Sequence, residues 1–190
     1  MVGFALVGGG GGPSSSVAPI AEPPTSTTAA TTPAGIGEGW AAEWRGRSVL
    51  RGFGQRTATI TSAEGEVCEV CLLAASTDAQ RARGLMEVTD PALGGHDGMV
   101  FVYDAEVDGA FWMRNTPMPL SIAYFDERGA FVSDADMAPC GDVASCPSYP
   151  PDGAFRYALE VPAGGLDELG VGPGSVLALG DEPCPRRAAA

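Results

Sequence analysis

Along several short stretches of the chain, apolar and polar positions alternate with a period of two, the signature of half-buried strands. Thr57–Thr61 (TATIT) alternates β-branched residues, and Val67–Ala75 (VCEVCLLAA) predicts a longer, more apolar strand. Further strands are predicted at Met99–Tyr103, Ala110–Arg114, Ser121–Phe125, Phe131–Asp134, Ala154–Val161 and Ser175–Leu179. The turn Asp126–Gly129 joins two of them as a hairpin. Thr77-x-x-Gln80 matches a capping box that opens a short helix through Arg83, and Gly84 ends it. Leu166–Leu169 makes one helical turn closed by Gly170. Many short strands punctuated by Gly and Pro predict a mainly β (α+β) domain: a compact, barrel-like antiparallel or mixed sheet with one or two short helices.

Outside residues 56–180 the pattern fades. Residues 1–12 form an apolar leader without a basic start, read as the remnant of a signal peptide or as a disordered tip. Pro13–Ala34 holds five prolines and nine Ser/Thr with one charge, Glu22, and buries too little apolar surface to order itself. With the irregular, Trp- and Arg-containing lead-in up to residue 55, it reads as a tether. Residues 181–190 form a tail. Leader, tether and domain in that order predict an exported, cell-envelope protein. No apolar run reaches the roughly 18 residues of a membrane-spanning helix.

Charge and composition remove several function classes. The formal net charge is −13, with 24 acidic residues against 11 basic ones, and every basic residue is arginine. An acidic surface without a basic stripe repels phosphate backbones, so nucleic-acid binding is not expected. Without lysine there is no Schiff-base or P-loop lysine. His96 is the single histidine, which excludes multi-histidine zinc sites.

Four blocks in order carry a resemblance: Arg83-Gly84-Leu85-Met86, Gly98-Met99-Val100-Phe101, Phe111-Trp112-Met113-Arg114-Asn115-Thr116 with Pro119-Leu120, and Leu159-Glu160-Val161-Pro162-Ala163-Gly164. In sequence and spacing they resemble the domain-of-unknown-function family 192, small and often exported prokaryotic proteins, over roughly Val67 to Leu179. Pro139-Cys140 with Cys146 and Tyr149 looks like the version in exported members of the family. The resemblance implies a compact β-rich, barrel-like fold and supplies no biochemical role. Arg114 stands where lysine is usual, which keeps the charge and changes the donor geometry.

Five cysteines are present. Cys140 and Cys146 are close enough in sequence to bridge a loop, and an oxidising compartment favours that bond. Cys68-x-x-Cys71 has redox spacing, but residues three apart in a strand point to opposite faces. Cys68 is expected to pair with Cys184, leaving Cys71 as a buried thiol. Met86, Met99, Met113, Met118 and Met137, with His96 and Cys71, invite a soft-metal (copper) reading. Their dispersal through apolar strands favours core filling instead, so no metal and no cofactor is expected.

The candidate ligand-binding residues are Trp112, Arg114, Asn115, Glu160 and Arg83. Phe111 to Pro117 reads either as the wall of a ligand cleft or as core residues followed by an Asx-type turn. An arginine from this set paired with Glu160 would brace the fold, or hold a carboxylate if it lines a cleft. His96 lies in a Gly-rich loop, where a lone histidine is usually exposed. No complete catalytic set emerges. The leading expectation is a non-enzymatic envelope module for a small polar, glycan or peptide ligand. The alternatives are a hydrolase using Asp104, Asp108, Asp134, Asp136 or Glu160, and a copper-binding protein.

Overall fold

The structure is a computed structural model, and it describes residues 40–44, 47–182, 184 and 185. The chain divides into Met1–Thr32 and Pro33–Ala190, and all described residues belong to the second unit. The leader and the Ser/Thr/Pro-rich tether therefore lie outside the described residues.

In chain order the strands are β1 (Trp40–Trp44), β2 (Arg47–Leu50), β3 (Gly54–Thr61), β4 (Val67–Ala75), β5 (Gly98–Val107) and β6 (Phe111–Trp112). They continue with β7 (Leu120–Phe125), β8 (Phe131–Met137), β9 (Ser148–Tyr149), β10 (Phe155–Pro162) and β11 (Val176–Leu179). The helices are α1 (Asp78–Arg83) and α2 (Gly165–Glu168). Seven strands form one sheet in the order β11-β3-β4-β5-β10-β7-β8, while β1 pairs with β2 and β6 with β9 in small separate ladders.

Sequence and fold agree where local chemistry is strong. β4 has the predicted limits, and the turn after Phe125 joins β7 and β8 as the expected antiparallel hairpin. The Thr77 hydroxyl accepts the Gln80 N–H at 3.3 Å, and the Gln80 side chain accepts the Thr77 N–H at 3.0 Å, completing the capping box. The irregular lead-in expected before residue 55 is, over its described part, the β1–β2 hairpin, and Leu50 is fully buried. Its pattern of Trp, Arg and Gly hides this, because β2 is only four residues long and Ser48 and Leu50 alone mark its buried face.

The ladder β4–β5 is parallel, and a parallel pair needs a crossover. Residues 76–97 make that crossover and include α1. Side chains alternate strictly between two apolar clusters. Leu73, Met99, Phe101, Ile122, Tyr124 and Ala158 belong to one, which also takes in Leu50, Leu85, Val88, Leu93 and Met113 from the hairpin, crossover and loops. Leu72, Val100, Ala123, Phe125, Leu159 and Val161 belong to the other, with Ile60, Leu166 and Leu177. Central strands buried on both faces read as continuous apolar runs, as β7 does.

The sheet curls without closing into a barrel. Its outer strands meet at a short bridge, where the Phe131 N–H bonds the Ser175 carbonyl at 3.0 Å and the Leu177 N–H bonds the Gly129 carbonyl at 2.8 Å. Gly129 (φ 79°) is required there, because a Cβ would lie 1.9 Å from the Leu177 carbonyl oxygen. Among the described residues no helix is long and apolar enough to cross a membrane.

Candidate functional site

β10 alternates Ala158 and Glu160 toward the first cluster with Leu159 and Val161 toward the second. A carboxyl therefore enters an apolar face in the middle of the sheet. Glu160 sits between Met99 of β5 and Ile122 of β7 and is only 4% exposed. The β5 backbone approaches closely beside it: a Cβ on Gly98 would lie 2.6 Å from the Glu160 carbonyl oxygen.

Above Glu160 is a cavity of about 40 Å³, walled by Phe101, by the crossover from Arg81 to Met86, and by Phe111, Trp112 and Thr116. Among the described residues Glu160 has neither a hydrogen-bond nor an ion-pair partner, and no fully shielded side-chain N or O atom is left unsatisfied. Its carboxyl oxygens therefore meet open space, and the cavity is that space. Burial pushes the Glu160 carboxyl up from 4.5 to about 8, so it is mostly protonated at neutral pH. In that form it both donates and accepts a hydrogen bond.

The expected Arg–Glu160 bridge is not formed. Arg83 lines the cavity, but its guanidinium donates to the Arg51 carbonyl at 2.8 Å and lies over the Phe53 ring. The Arg81 guanidinium donates to the Ser76 and Val102 carbonyls, pairs with Asp78 and stacks on Tyr103. Carbonyl oxygens of neighbouring segments take these cations before the carboxyl can. Tyr103 and Tyr124 face the same interior, and both phenols are pushed up, first by burial, with the Glu160 charge adding to the effect.

The predicted binding residues thus separate. Trp112, Arg83 and Glu160 come together at the cavity, with Trp112 52% exposed at its edge. Arg114 and Asn115 do not line it. Arg114 Nε donates to Asp142 at 2.7 Å, and the Asn115 side-chain amide donates to Glu87 at 3.2 Å. Asn115 and Glu87 both have positive φ and are joined again by the Glu87 N–H donating to the Asn115 carbonyl. Phe111 and Thr116, from the segment read as a possible cleft wall, also line the cavity, as do Arg81 and Phe101, which the sequence does not mark as site residues. The signal for Phe101 was its place in the block with Gly98.

Two disulfides are present, Cys140–Cys146 as expected and Cys71–Cys184. The second corrects the Cys68–Cys184 pairing, since Cys68 is the free thiol. The tail returns beside Thr57, whose carbonyl accepts the Gly180 N–H at 2.8 Å, and Thr57 is the β3 partner of Cys71. His96 is also corrected. It is 5% exposed, with Nδ1 2.9 Å from the Leu93 carbonyl oxygen and Nε2 3.1 Å from Gln55 Oε1. A larger cleft of about 440 Å³ lies by this strap, but Arg47, Asp97 and Thr57 along it are already bonded to Gly95 and Pro185, to the Cys71 N–H, and to Glu182. Met99, Met113, Met118 and Met137 are all members of the first apolar cluster.

A family model, DUF192, described as "Uncharacterized ACR", matches residues 59–179. The chain belongs to the DUF192 family. That match spans β3 to β11 and so includes the whole Glu160 cavity. Among solved structures, a protein of unknown function from Novosphingobium aromaticivorans is 26% identical, with a TM-score of 0.54, covering 73% of this chain and 91% of that one. A Sinorhizobium meliloti protein described as a "putative transcription regulator" is 24% identical, with a TM-score of 0.55, covering 67% of this chain and 95% of that one. The latter likeness is one of fold alone. No functionally curated protein matches this DUF192 chain.

Proposed function

We propose that the chain is an exported, non-enzymatic binding module of a bacterial cell envelope, holding a small polar, glycan or peptide ligand at the Glu160 cavity. The observation that carries this reading is a buried carboxyl left without a protein partner, facing a cavity edged by an exposed tryptophan. Among the described residues the carboxyl makes no bond within the protein, so its donor and acceptor are free for a ligand group that enters the cavity. The two disulfides and the Ser/Thr/Pro-rich segment support placement in an oxidising compartment. The acidic charge argues against a nucleic-acid partner.

The hydrolase alternative has less support. Carboxylate catalysis of the paired kind needs a second acid facing the first, and no other Asp or Glu lines the Glu160 cavity. Asp136 is engaged by the Ser121 hydroxyl at 2.6 Å, while Asp104, Asp108 and Asp134 are exposed. The copper alternative would have to draw thioethers out of the packed core.

The reading is tested by titrating the full chain with a panel of small polar ligands, glycans and wall peptides while following the Trp112 indole and Glu160 signals by NMR. Shifts confined to the cavity residues, lost in Glu160→Leu, are the expected result. A panel that moves neither signal would overturn it. Fractionation of cells expressing the full-length chain tests export, with both disulfides formed outside the cytoplasm as the expected outcome.

A further inference from the structure

Resting on that reading of the cavity as a binding site, we infer that its ligand is a neutral saccharide. A primary hydroxyl enters the cavity to bond Glu160, and the sugar ring lies outside against Trp112.

Size sets the first limit. About 40 Å³ accepts a group the size of a water molecule or slightly larger, such as a hydroxymethyl, and does not accept a ring. The part of the ligand that enters is therefore a small protrusion from a body that stays outside. The wall it passes is aromatic: Phe101 and Phe111 meet edge to face at 4.9 Å, and Trp112 continues the wall to the surface. An indole half exposed beside a polar pocket offers an apolar face to a ligand that also carries hydrogen-bonding groups.

Charge sets the second limit. An ammonium group would have to pass Arg81 and Arg83, both of which line the cavity. A carboxylate or phosphate would need a free guanidinium fork to hold it. Arg81 already serves Asp78, Ser76 and Val102, while Arg83 gives one N–H to the Arg51 carbonyl, lies over the Phe53 ring and makes no ion pair with Glu160, so neither fork is set on the carboxyl. The acidic surface adds long-range repulsion for anions. A hydroxyl meets neither obstacle. It donates and accepts one bond each way, matching a protonated carboxyl, so neither partner is left unsatisfied. A ring with an apolar C–H face and a primary hydroxyl on a one-carbon arm describes a hexose.

The groups around Glu160 define the expected pH behaviour. Arg81 and Arg83 stay charged throughout, and the Tyr103 and Tyr124 phenols are pushed above their usual range, so they remain protonated near pH 8. A change in binding near pH 8 therefore reports Glu160.

The test is an NMR titration of the full chain with glucose, galactose and mannose, set against their 6-deoxy counterparts, with ethylamine and acetate as charged probes. The expected result is that hexoses shift the Trp112 and Glu160 signals and that the 6-deoxy sugars bind at least tenfold more weakly. Hexose affinity should change as pH passes about 8 in the native chain and stay flat with pH in Glu160→Gln, whose amide also donates and accepts. Equal binding of hexoses and 6-deoxy sugars would overturn the inference. So would shifts caused by ethylamine or acetate but not by sugars, although the binding function would then stand. If no probe moves either signal the inference fails, and the wider panel of glycans and wall peptides then decides the binding function separately.

Discussion

The Arg114–Asn115 corner and the Glu160 cavity flank the same loop yet treat their polar groups in opposite ways. At the corner the charges and amides are committed: Arg114 to Asp142, Asn115 to Glu87, and the Asn115 N–H to the Gly141 carbonyl. Thr116 forms a bridge with Cys140, whose disulfide to Cys146 closes the loop. In the cavity the one buried acid has no partner. The corner therefore braces the wall that carries Trp112, whereas the cavity holds unspent hydrogen-bonding capacity. Sequence proximity suggests one site; hydrogen bonding separates a braced support from a cavity with an unpartnered acid.

The largest expected effect comes from Glu160. Its folded-state value near 8 lies above the ordinary 4.5, so between those values the folded protein holds a proton that the unfolded chain has lost. Stability from this residue is full below about pH 4.5 and falls as pH rises through about 8. Glu160→Gln should match the native protein at pH 4 and exceed it at pH 9, by on the order of 4 kcal/mol. Urea unfolding at the two pH values measures this, and a pH-independent difference would erase the contrast with the braced corner.

Gly98→Ala probes the backbone beneath the cavity. Its Cβ would strike the Glu160 carbonyl oxygen at 2.6 Å, and backbone cannot rotate away as a side chain can. A loss of about 2–3 kcal/mol is expected, read from the denaturation midpoint.

On the braced side, Cys140→Ser with Cys146→Ser opens a short loop and should lower stability by about 2 kcal/mol. It should also broaden the Trp112 indole signal, because Thr116 loses a fixed neighbour. Arg114→Ala removes an exposed ion pair, and a change of about 0.5 kcal/mol is expected, with the cavity signals unmoved. A larger effect, or a shift at Glu160, would mean that corner and cavity form one site after all.

The sequence was most informative where local chemistry decides. The β4 run, the Thr77–Gln80 box and the β7–β8 turn all have short-range signatures, and each forms where expected. Pairings set by long-range return of the chain were not legible. Alternation in β4 correctly separates Cys68 from Cys71, but it says nothing about which face the tail revisits. The Gly180–Thr57 bond decides that, more than 100 residues away in sequence. The partner of Arg83 was hidden for the same reason. It is the Arg51 carbonyl, in a segment without a clean period, so the sequence offered Glu160 in its place. Trp112 and Glu160 were legible as unusual residues in apolar blocks, while the cavity joining them depends on the β4–α1–β5 crossover.

All of this depends on one acid being buried, protonated and unpaired. Carboxyl-carbon NMR of selectively labelled Glu160, followed from pH 3 to pH 10 in the free protein, measures that state directly. A single titration midpoint near 8 is the predicted result. A midpoint at or below 4.5 would show a solvated or ion-paired carboxylate, and the cavity would lose its claim to a ligand.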